Sequence, residues 1–407
     1  MRPAQLVLVA NARLPSQRAQ SLQVAQVAAA FERAGVPTTL LHARRRDTPE
    51  PRDPAELWDY YGVPADARPR RVAVPCVDWI DLTPRALQYV PARLQELSFA
   101  RNAARRVARD FATAWILSRE IECARALVRA GRREVFLELH RVPGGRARRR
   151  WLLEAARGLA GIVAISGGVR EDLAELGLDP ASIVVEHDGF EPRRFEGLPS
   201  REAARRELGI DREAPLVVYT GGLLAWKGVD LLVEAARRLP KVRFLVAGGM
   251  DADVRELRSS AAELANLRLD GFQPPERVPL YLRAADVGVV PNRSRPAISA
   301  RYTSPLKVFE ARAAGLPLVA SDLPSLREVL NEEQALFVAP DDAAALSRGL
   351  EAVLADAGLR RRMAEAQAAG AAQHGWDARA ERLLAWMAGR LEEPQEGGVP
   401  PARNLAQ

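Results

Sequence analysis

Two glycines and a lysine follow a short apolar segment in the second half of the chain, between Tyr219 and Gly228. Gly221 and Gly222 let the backbone approach an anion closely, and the start of the next helix offers free amides and a positive dipole end. Lys227 adds a mobile positive charge. The combination predicts a loop that binds a diphosphate without a metal. The alternative is an ordinary turn with Lys227 in solvent.

A second glycine pair, Gly248 and Gly249, ends the apolar segment that precedes it. We expect it to line the same site, although a plain turn explains it equally well. Further along, a polar loop leads into a helix that begins near Pro305, a favoured first helical residue, and ends at Gly315. The amides around Ser304 are therefore predicted to face the site.

Glu310 lies in that short helix, three residues beyond Lys307. A carboxylate at this place could accept hydrogen bonds from two ribose hydroxyls, as carboxylates do in nucleotide-binding folds. The alternative is a salt bridge between Glu310 and Lys307.

Short apolar segments alternate with helical patterns along the whole chain, which predicts α/β architecture with parallel, doubly wound sheets. The predicted strands are Gln5–Ala10, Thr38–Leu41, Ala112–Leu117, Val135–Leu139, Gly161–Ile165, Pro215–Tyr219, Val242–Ala247, Leu267–Leu269, Val287–Val290, Leu318–Ala320 and Ala335–Val338. Two such series in tandem predict two Rossmann-like domains facing a central cleft, with ligands at the carboxyl ends of the strands.

The pattern divides the chain into a first Rossmann-like domain at 1–195 and a second one at 196–375. A final helix at 376–391 is expected to pack back on the first domain, and the Pro- and Gly-rich residues 392–407 are predicted to be disordered. Arg44 to Arg71 is polar and poorly patterned, which predicts a long surface connection.

Composition narrows the class of protein. No run of about 18 apolar residues occurs, and the N-terminus has no secretory pattern. The two cysteines, Cys76 and Cys123, fit buried thiols in a reducing compartment. These features predict a soluble cytoplasmic protein, or one peripheral at the inner face of the membrane.

Positive charge is concentrated in the first half. Residues 1–195 hold 31 Arg and Lys against 23 Asp and Glu, a net charge of +8, whereas the remainder is −1. This favours an anionic acceptor or phospholipid surface. The basic helix Arg93–Arg109 and the run Arg146–Arg150 with Trp151 could rest on anionic lipid, or be solvated faces. No nucleic-acid motif supports a nucleic-acid partner.

The ordered segments together resemble retaining glycosyltransferases of family 4, which have the GT-B fold. The resemblance rests on Gly-Gly followed by Trp-Lys-Gly, on Ala-Gly-Gly, and on the stretch Ser-Pro-Leu-Lys-Val-Phe-Glu-Ala that leads to Ala-Gly-Leu-Pro. The segment around Ser166 and the linker His187-Asp188-Gly189-Phe190 with Phe195 also match.

The resemblance implies transfer of a sugar from a nucleotide-diphosphate-sugar to a glycan or lipid-linked acceptor, with retention and in cell-envelope or exopolysaccharide synthesis. Cofactors and metals are not expected. It implies that Lys227 binds the diphosphate, that Glu310 binds the ribose, and that both serve catalysis. The implied donor-binding residues are Gly221, Gly222, Lys227, Gly248, Gly249, Tyr302, Thr303, Ser304, Pro305, Leu306 and Glu310.

The resemblance implies that the domain at 1–195 binds the acceptor and that the domain at 196–375 binds the nucleotide-sugar. It also implies that His140, which follows the strand Val135–Leu139, lies near the sugar and the acceptor and serves catalysis, and that Ser166 lies at the cleft edge on the acceptor side. His140 could instead be a structural histidine.

Three places depart from the family pattern. Tyr302 stands where the family often has a glutamate. No arginine precedes Lys227 at the usual distance, and no double glycine follows the first strand. Two other functions therefore stay open: a nucleotide-sugar epimerase and a noncatalytic nucleotide-sugar binder on the same fold. Asp251 and Asp253 have a metal-binding spacing, but the predicted fold needs no metal there.

Overall fold

The structure, a computed structural model, describes residues 2–46 and 54–392, without the side chains of residues 54, 55 and 85. Most of the tail expected from residue 392, namely 393–407, lies outside this part of the chain. Two parallel sheets form the centres of two domains.

The first sheet has seven strands in the order β3-β2-β1-β4-β5-β6-β7. These strands are β1 Leu6–Ala10, β2 Thr38–Ala43, β3 Arg70–Val74, β4 Trp115–Ser118, β5 Val135–Leu139, β6 Gly161–Ala164 and β7 Ile183–Val185. Its helices are α1 Ala19–Arg33, α2 Pro54–Tyr60, α3 Tyr89–Asp110, α4 Ile121–Arg129, α5 Arg146–Ala156 and α6 Gly167–Glu175. Every pairing is parallel, so helices must connect successive strands.

The second sheet has six parallel strands in the order β10-β9-β8-β11-β12-β13. These are β8 Leu216–Thr220, β9 Arg243–Ala247, β10 Leu267–Gly271, β11 Val287–Val290, β12 Leu318–Ser321 and β13 Ala335–Val338. Its helices are α7 Arg201–Glu207, α8 Val229–Arg238, α9 Asp251–Ser260, α10 Val278–Ala284, α11 Leu306–Ala313, α12 Pro324–Arg327, α13 Ala343–Ala355 and α14 Ala357–Ala369. This is the strand order of a doubly wound nucleotide-binding sheet.

The burial of the central strands explains why their sequences are continuous apolar runs. All five residues of β1 are buried, as are all five of β8. A strand covered by helices on both faces has no solvent side, so its sequence shows no alternation. The prediction of two doubly wound α/β domains is confirmed.

The prediction of a long surface connection at Arg44–Arg71 is wrong for its described part. Residues 54–60 form α2, and Leu57, Trp58 and Tyr61 are buried. These three apolar side chains share one helical face, which the surrounding prolines and charges obscured in the sequence. The strands β3 and β7 were also missed, because β3 is an edge strand that starts with two arginines and β7 has only three residues.

The chain crosses back to the first domain at its end. The final helix, α15 Trp376–Glu392, packs its apolar residues into the same core cluster as α1, and Trp386 contacts the ring of Phe136 at 5.6 Å between centroids. Phe190 of the linker between the domains forms a parallel β-bridge with Gly375, the residue before α15. Two chain crossings therefore join the domains. Within the described ranges, no helix has the length and apolar character needed to cross a membrane.

Candidate donor site at the carboxyl ends of the second sheet

Two glycine loops touch at the carboxyl ends of β8 and β9. Gly221 has φ +121° and Gly248 has φ +130°, both in the region that favours glycine. A Cβ at Gly248 would lie 2.2 Å from the carbonyl oxygen of Gly221, so no side chain fits between the loops. The hydroxyl of Tyr219 donates to the Gly222 carbonyl at 2.7 Å and fixes the first loop. The sequence-predicted glycines are thus brought together.

Two lysine ammonium groups converge on this glycine loop. The Nζ of Lys227 lies 3.9 Å, and the Nζ of Lys307 3.8 Å, from the place a Cβ would occupy on Gly221. Lys307 Nζ also stands 3.5 Å from the ring centroid of Tyr219. It is buried and has no hydrogen-bond partner among the described residues. The sequence had singled out Lys227 alone.

The surroundings of both lysines disfavour their charged forms. Burial, together with the charge of Lys227, holds the pKa of Lys307 well below its usual range, against the opposing effect of Glu310. Burial also lowers the pKa of Lys227, again opposed by Glu310. Two buried positive charges that lie close together raise the free energy of the folded protein unless an anion binds between them.

Lysine is rare in this chain, which makes its placement informative. The chain has 59 Lys and Arg residues, but the only lysines are Lys227, Lys241 and Lys307. Two of the three lie at this loop, and Lys241 is exposed elsewhere. An ammonium is a compact charge that can lose its proton on burial, whereas a guanidinium stays charged.

Glu310 lies on α11, one turn after Lys307. Burial raises the pKa of its carboxyl, while Arg194, Lys307 and Lys227 act to lower it. In the described part of the chain it forms no ion pair within 4 Å, so the predicted alternative of a salt bridge to Lys307 is not seen. Its oxygens remain available to a ligand.

Arg194 is a neighbour of Glu310 that the sequence did not single out. It lies in the 3-10 turn Pro192–Phe195 of the interdomain linker and donates to the carbonyl of Tyr61 at 2.6 Å. Burial lowers its pKa, and Glu276, Glu310 and Glu191 oppose this effect. No sequence signal could have found it, because its role arises only when the linker folds beside α11.

The residues that precede α11 lie at the seam between the domains. The Ser304 side chain is buried and accepts a hydrogen bond from the Asp188 amide at 2.7 Å. Thr303 is half-buried, Pro305 is the residue before the helix, and Leu306 packs against the core cluster of the first domain. The first amides of the helix have no partner within it.

Tyr302 points to the first domain. Its hydroxyl is hydrogen-bonded to the carboxylate of Asp172 on α6, and its ring packs against the apolar core cluster of that domain. Burial and Asp172 raise the pKa of Tyr302 to about 12. The neighbouring Arg301 forms an ion pair with Asp172 at 2.7 Å. These contacts fix the loop between β11 and α11 against the first domain.

Ser166 lies at the same seam. Its hydroxyl caps α6 by accepting from the Val169 amide and donates to the Arg301 carbonyl at 3.0 Å. The amides of Gly167 and Gly168, at the N-terminus of α6, donate to the carboxylate of Glu328 in the second domain. Loops after β6 and β11 therefore meet, so the carboxyl ends of both sheets face each other.

His140 belongs to a polar cluster at the end of β5. Its Nε2 lies 2.8 Å from Glu138 Oε1 and 2.7 Å from an Arg119 nitrogen. Glu138 is also paired with Arg379 of α15 at 2.9 Å, with both side chains almost fully buried. Burial and the charge of Arg119 lower the pKa of His140, against the effect of Glu138. The lowered pKa favours the neutral imidazole, and 27% of the side chain is exposed.

Asp251 and Asp253 lie in the first turn of α9, just after Gly249. Across residues 2–46 and 54–392 there is no cluster of three or more His, Cys, Asp or Glu side chains suited to a metal.

Comparisons with known proteins agree with this geometry. Residues 200–369 match the model of the family described as Glycosyl transferases group 1. The full fold is similar to the HepE protein of Anabaena in complex with UDP, with a TM-score of 0.73 at 15% identity, covering 95% of this chain and 100% of that one. It is also similar to sucrose-phosphate synthase of Thermosynechococcus elongatus, with a TM-score of 0.74 at 18% identity, covering 95% and 98% of the two chains. The fold is the GT-B fold, and the match to the group 1 model lies within its second domain.

Curated relatives add a more particular similarity. The chain is 33% identical over 237 residues to a D-inositol 3-phosphate glycosyltransferase of Xylanimonas cellulosilytica, which covers 55% of each chain. It is 32% identical over 247 residues to the protein of the same name from Geodermatophilus obscurus, covering 53% of this chain and 52% of the relative. The chain thus spans about half the length of these relatives.

Proposed function

We propose that this protein is a glycosyltransferase that moves a sugar from a nucleoside-diphosphate sugar to a glycan or lipid-linked acceptor, with retention of configuration. The observation that carries the proposal is the convergence of Lys227 and Lys307 on the paired glycine loops. A diphosphate placed there would supply the anion that both ammonium groups lack.

The donor is proposed to lie along α11. With the diphosphate at the glycine loops, the ribose would reach Glu310, whose carboxylate has no ion-pair partner within 4 Å in the described chain. Uracil is the favoured base, because the similar HepE structures hold UDP and UDP-glucose. The names of the curated relatives make a phosphorylated cyclitol one acceptor to include in an assay.

In the proposed reaction the second domain binds the donor and the first domain presents the acceptor. The bond between the anomeric carbon and the diphosphate breaks, a bond from that carbon to an acceptor hydroxyl oxygen forms, and the hydroxyl proton passes to the leaving diphosphate. The two lysines stabilise the negative charge that grows on the diphosphate. The facing sheet edges exclude water, which would otherwise hydrolyse the donor. His140, neutral beside Glu138 and Arg119, would orient groups near the acceptor without adding a charge.

Calorimetry tests the donor site directly. UDP, GDP, ADP and pyrophosphate are titrated into the wild type, Glu310→Gln and a matched control, Glu351→Gln, which removes a carboxylate from the exposed face of α13. A nucleotide should bind the wild type and the control equally and bind Glu310→Gln more weakly. Equal binding to Glu310→Gln, or no binding of any nucleotide to the wild type, would refute the donor site.

Turnover then separates the three functions. Release of UDP that depends on an added acceptor identifies a transferase, and NMR of the anomeric proton reports retention. Conversion of the sugar nucleotide without an acceptor identifies an epimerase. Binding without turnover identifies a noncatalytic binder, which the attachment of Tyr302 to Asp172 would then help to explain.

A further inference from the structure

Large apolar side chains are exposed on one segment of the first domain. Of the eleven large hydrophobic residues exposed in the described structure, eight lie between residues 77 and 97. We name this surface the apolar patch; it consists of Val77, Trp79, Leu82, Leu87, Tyr89, Val90, Leu94 and Leu97. The exposed fraction reaches 51% for Trp79, 67% for Leu87 and 77% for Tyr89. Contiguous exposure of this kind marks an interaction surface.

The patch has a defined conformation. The Gln88 side chain donates to the carbonyls of Ile80 and Thr83, both at 3.1 Å, and joins the 3-10 turn Ile80–Leu82 to the start of α3. The Val77 amide donates to the Ser98 hydroxyl at 2.9 Å. The backbone is therefore held in place while the apolar side chains point to solvent.

Exposed arginines continue the patch along α3. Val90, Leu94, Leu97, Arg101 and Arg105 follow one another at intervals of three or four residues, so they form a single stripe on the helix. Its first half is apolar and its second half is cationic. Neither arginine forms a salt bridge with another described residue. An apolar face beside free cations, with Trp and Tyr among the exposed residues, fits the boundary of an anionic bilayer.

The patch borders the first-domain side of the cleft. On α3, Gln95 exchanges two hydrogen bonds, at 2.9 and 2.8 Å, with Asn11 at the carboxyl end of β1. Asp81, within the patch segment, pairs with Arg13 at 2.7 Å. A groove of about 460 Å³ continues from Leu97 between α3 and α4 as far as Trp151. A surface that contacts lipid here would bring the membrane beside the acceptor side of the cleft.

We propose that the apolar patch and the arginines Arg101 and Arg105 dock this protein on an anionic phospholipid surface. The apolar side chains enter the headgroup region and the arginines contact lipid phosphates. The sequence-based suggestion that Arg93–Arg109 contacts lipid is thereby refined: Arg93 is engaged with Glu96 and Glu122 and does not contribute. This inference concerns a surface apart from the donor site and does not depend on catalysis.

Vesicle flotation tests the proposal with the full chain and no nucleotide. The vesicles contain phosphatidylcholine alone, or phosphatidylcholine with phosphatidylglycerol. The wild type should float with the anionic vesicles, less so at high salt. A variant with serine at Trp79, Leu82, Leu87 and Tyr89 should lose at least about tenfold in partitioning.

The arginines are tested separately. The double variant Arg101→Gln and Arg105→Gln should lose roughly fivefold in partitioning for each arginine. Arg206→Gln with Arg361→Gln is the matched control, since both are exposed arginines of the second domain and the charge change is the same. Circular dichroism melting curves establish that each variant is folded.

Three results would overturn the proposal. The first is a wild type that does not float with anionic vesicles. The second is an equal loss of binding in the control variant. The third is a wild type that dimerises in sedimentation velocity while the serine variant is monomeric and floats unchanged, because the patch would then be covered by a second copy of the chain.

Discussion

Lys307→Met should stabilise the ligand-free protein while weakening its binding of UDP. The Nζ atoms of Lys227 and Lys307 lie 3.9 and 3.8 Å from the position that a Cβ would occupy on Gly221, so the two Nζ atoms are less than 8 Å apart. At an effective dielectric constant near 20, two unit charges at that distance repel each other by about 2 kcal/mol. Burial of the Lys307 ammonium adds to this cost, and its contact with the Tyr219 ring returns about 0.5–2 kcal/mol.

The pH dependence follows from the direction of the shift. The pKa of Lys307 is lowered in the folded state, so the native protein resists protonation of this group. The resulting destabilisation is present at neutral pH and is relieved as the pH rises from the lowered pKa toward the ordinary value of lysine. Methionine keeps the length of the side chain without the charge, and we expect its gain of about 1 kcal/mol to shrink at alkaline pH.

Urea unfolding at pH 7 measures the gain, and Lys241→Met is the control because Lys241 is exposed. The control should change the free energy of unfolding by less than about 0.5 kcal/mol. UDP affinity, measured by calorimetry, should fall at least about tenfold in Lys307→Met only. The reasoning is refuted if Lys307→Met is less stable than the wild type, or if it gains no more than the control.

Three further predictions follow from the same contacts. UDP binding should take up protons, because a bound diphosphate restores the charge of Lys307, and it should weaken as the pH rises between the lowered and the ordinary lysine pKa. Calorimetry in buffers of different ionisation enthalpy measures the number of protons taken up, and proton release would contradict the prediction. Gly248→Ala should abolish UDP binding in a folded protein, since its Cβ would overlap the Gly221 carbonyl, whereas Gly131→Ala, with no heavy atom within 4 Å, should bind normally. Arg379→Met should lower the free energy of unfolding by about 3 kcal/mol, because it removes the closest arginine from the buried Glu138 and leaves only His140 and the more distant Arg119 beside it; a change below about 1 kcal/mol would show that the pair contributes little.

The proposed donor site and the apolar patch lie on different domains. The second domain holds the glycine loops with Lys227 and Lys307, whereas the first carries the exposed apolar and cationic stripe of α3. Their sheet edges meet through Ser166, Tyr302 and Ser304. A soluble donor and a membrane-presented acceptor could therefore reach the same cleft from different sides.

The sequence determined the architecture, because buried parallel strands must be apolar on both faces and their order along the chain alternates with helices. It also singled out Gly221, Gly248, Lys227 and Glu310 as candidates, since glycines after strands and charged residues near them or on the following helix are local signals. The helix α2 could not be predicted from the sequence, because prolines and charged residues surround the three buried side chains at this helix.

Only the tertiary structure decided which of these groups act together. Lys307 is one charge on a helix in the sequence, but the fold places its ammonium over the Tyr219 ring and next to Lys227, 80 residues earlier. The charge of Arg194 acts on Glu310 only because the linker folds near α11. Burial, and the repulsion or attraction between charges distant in sequence, are properties of packing, so no local pattern encodes them.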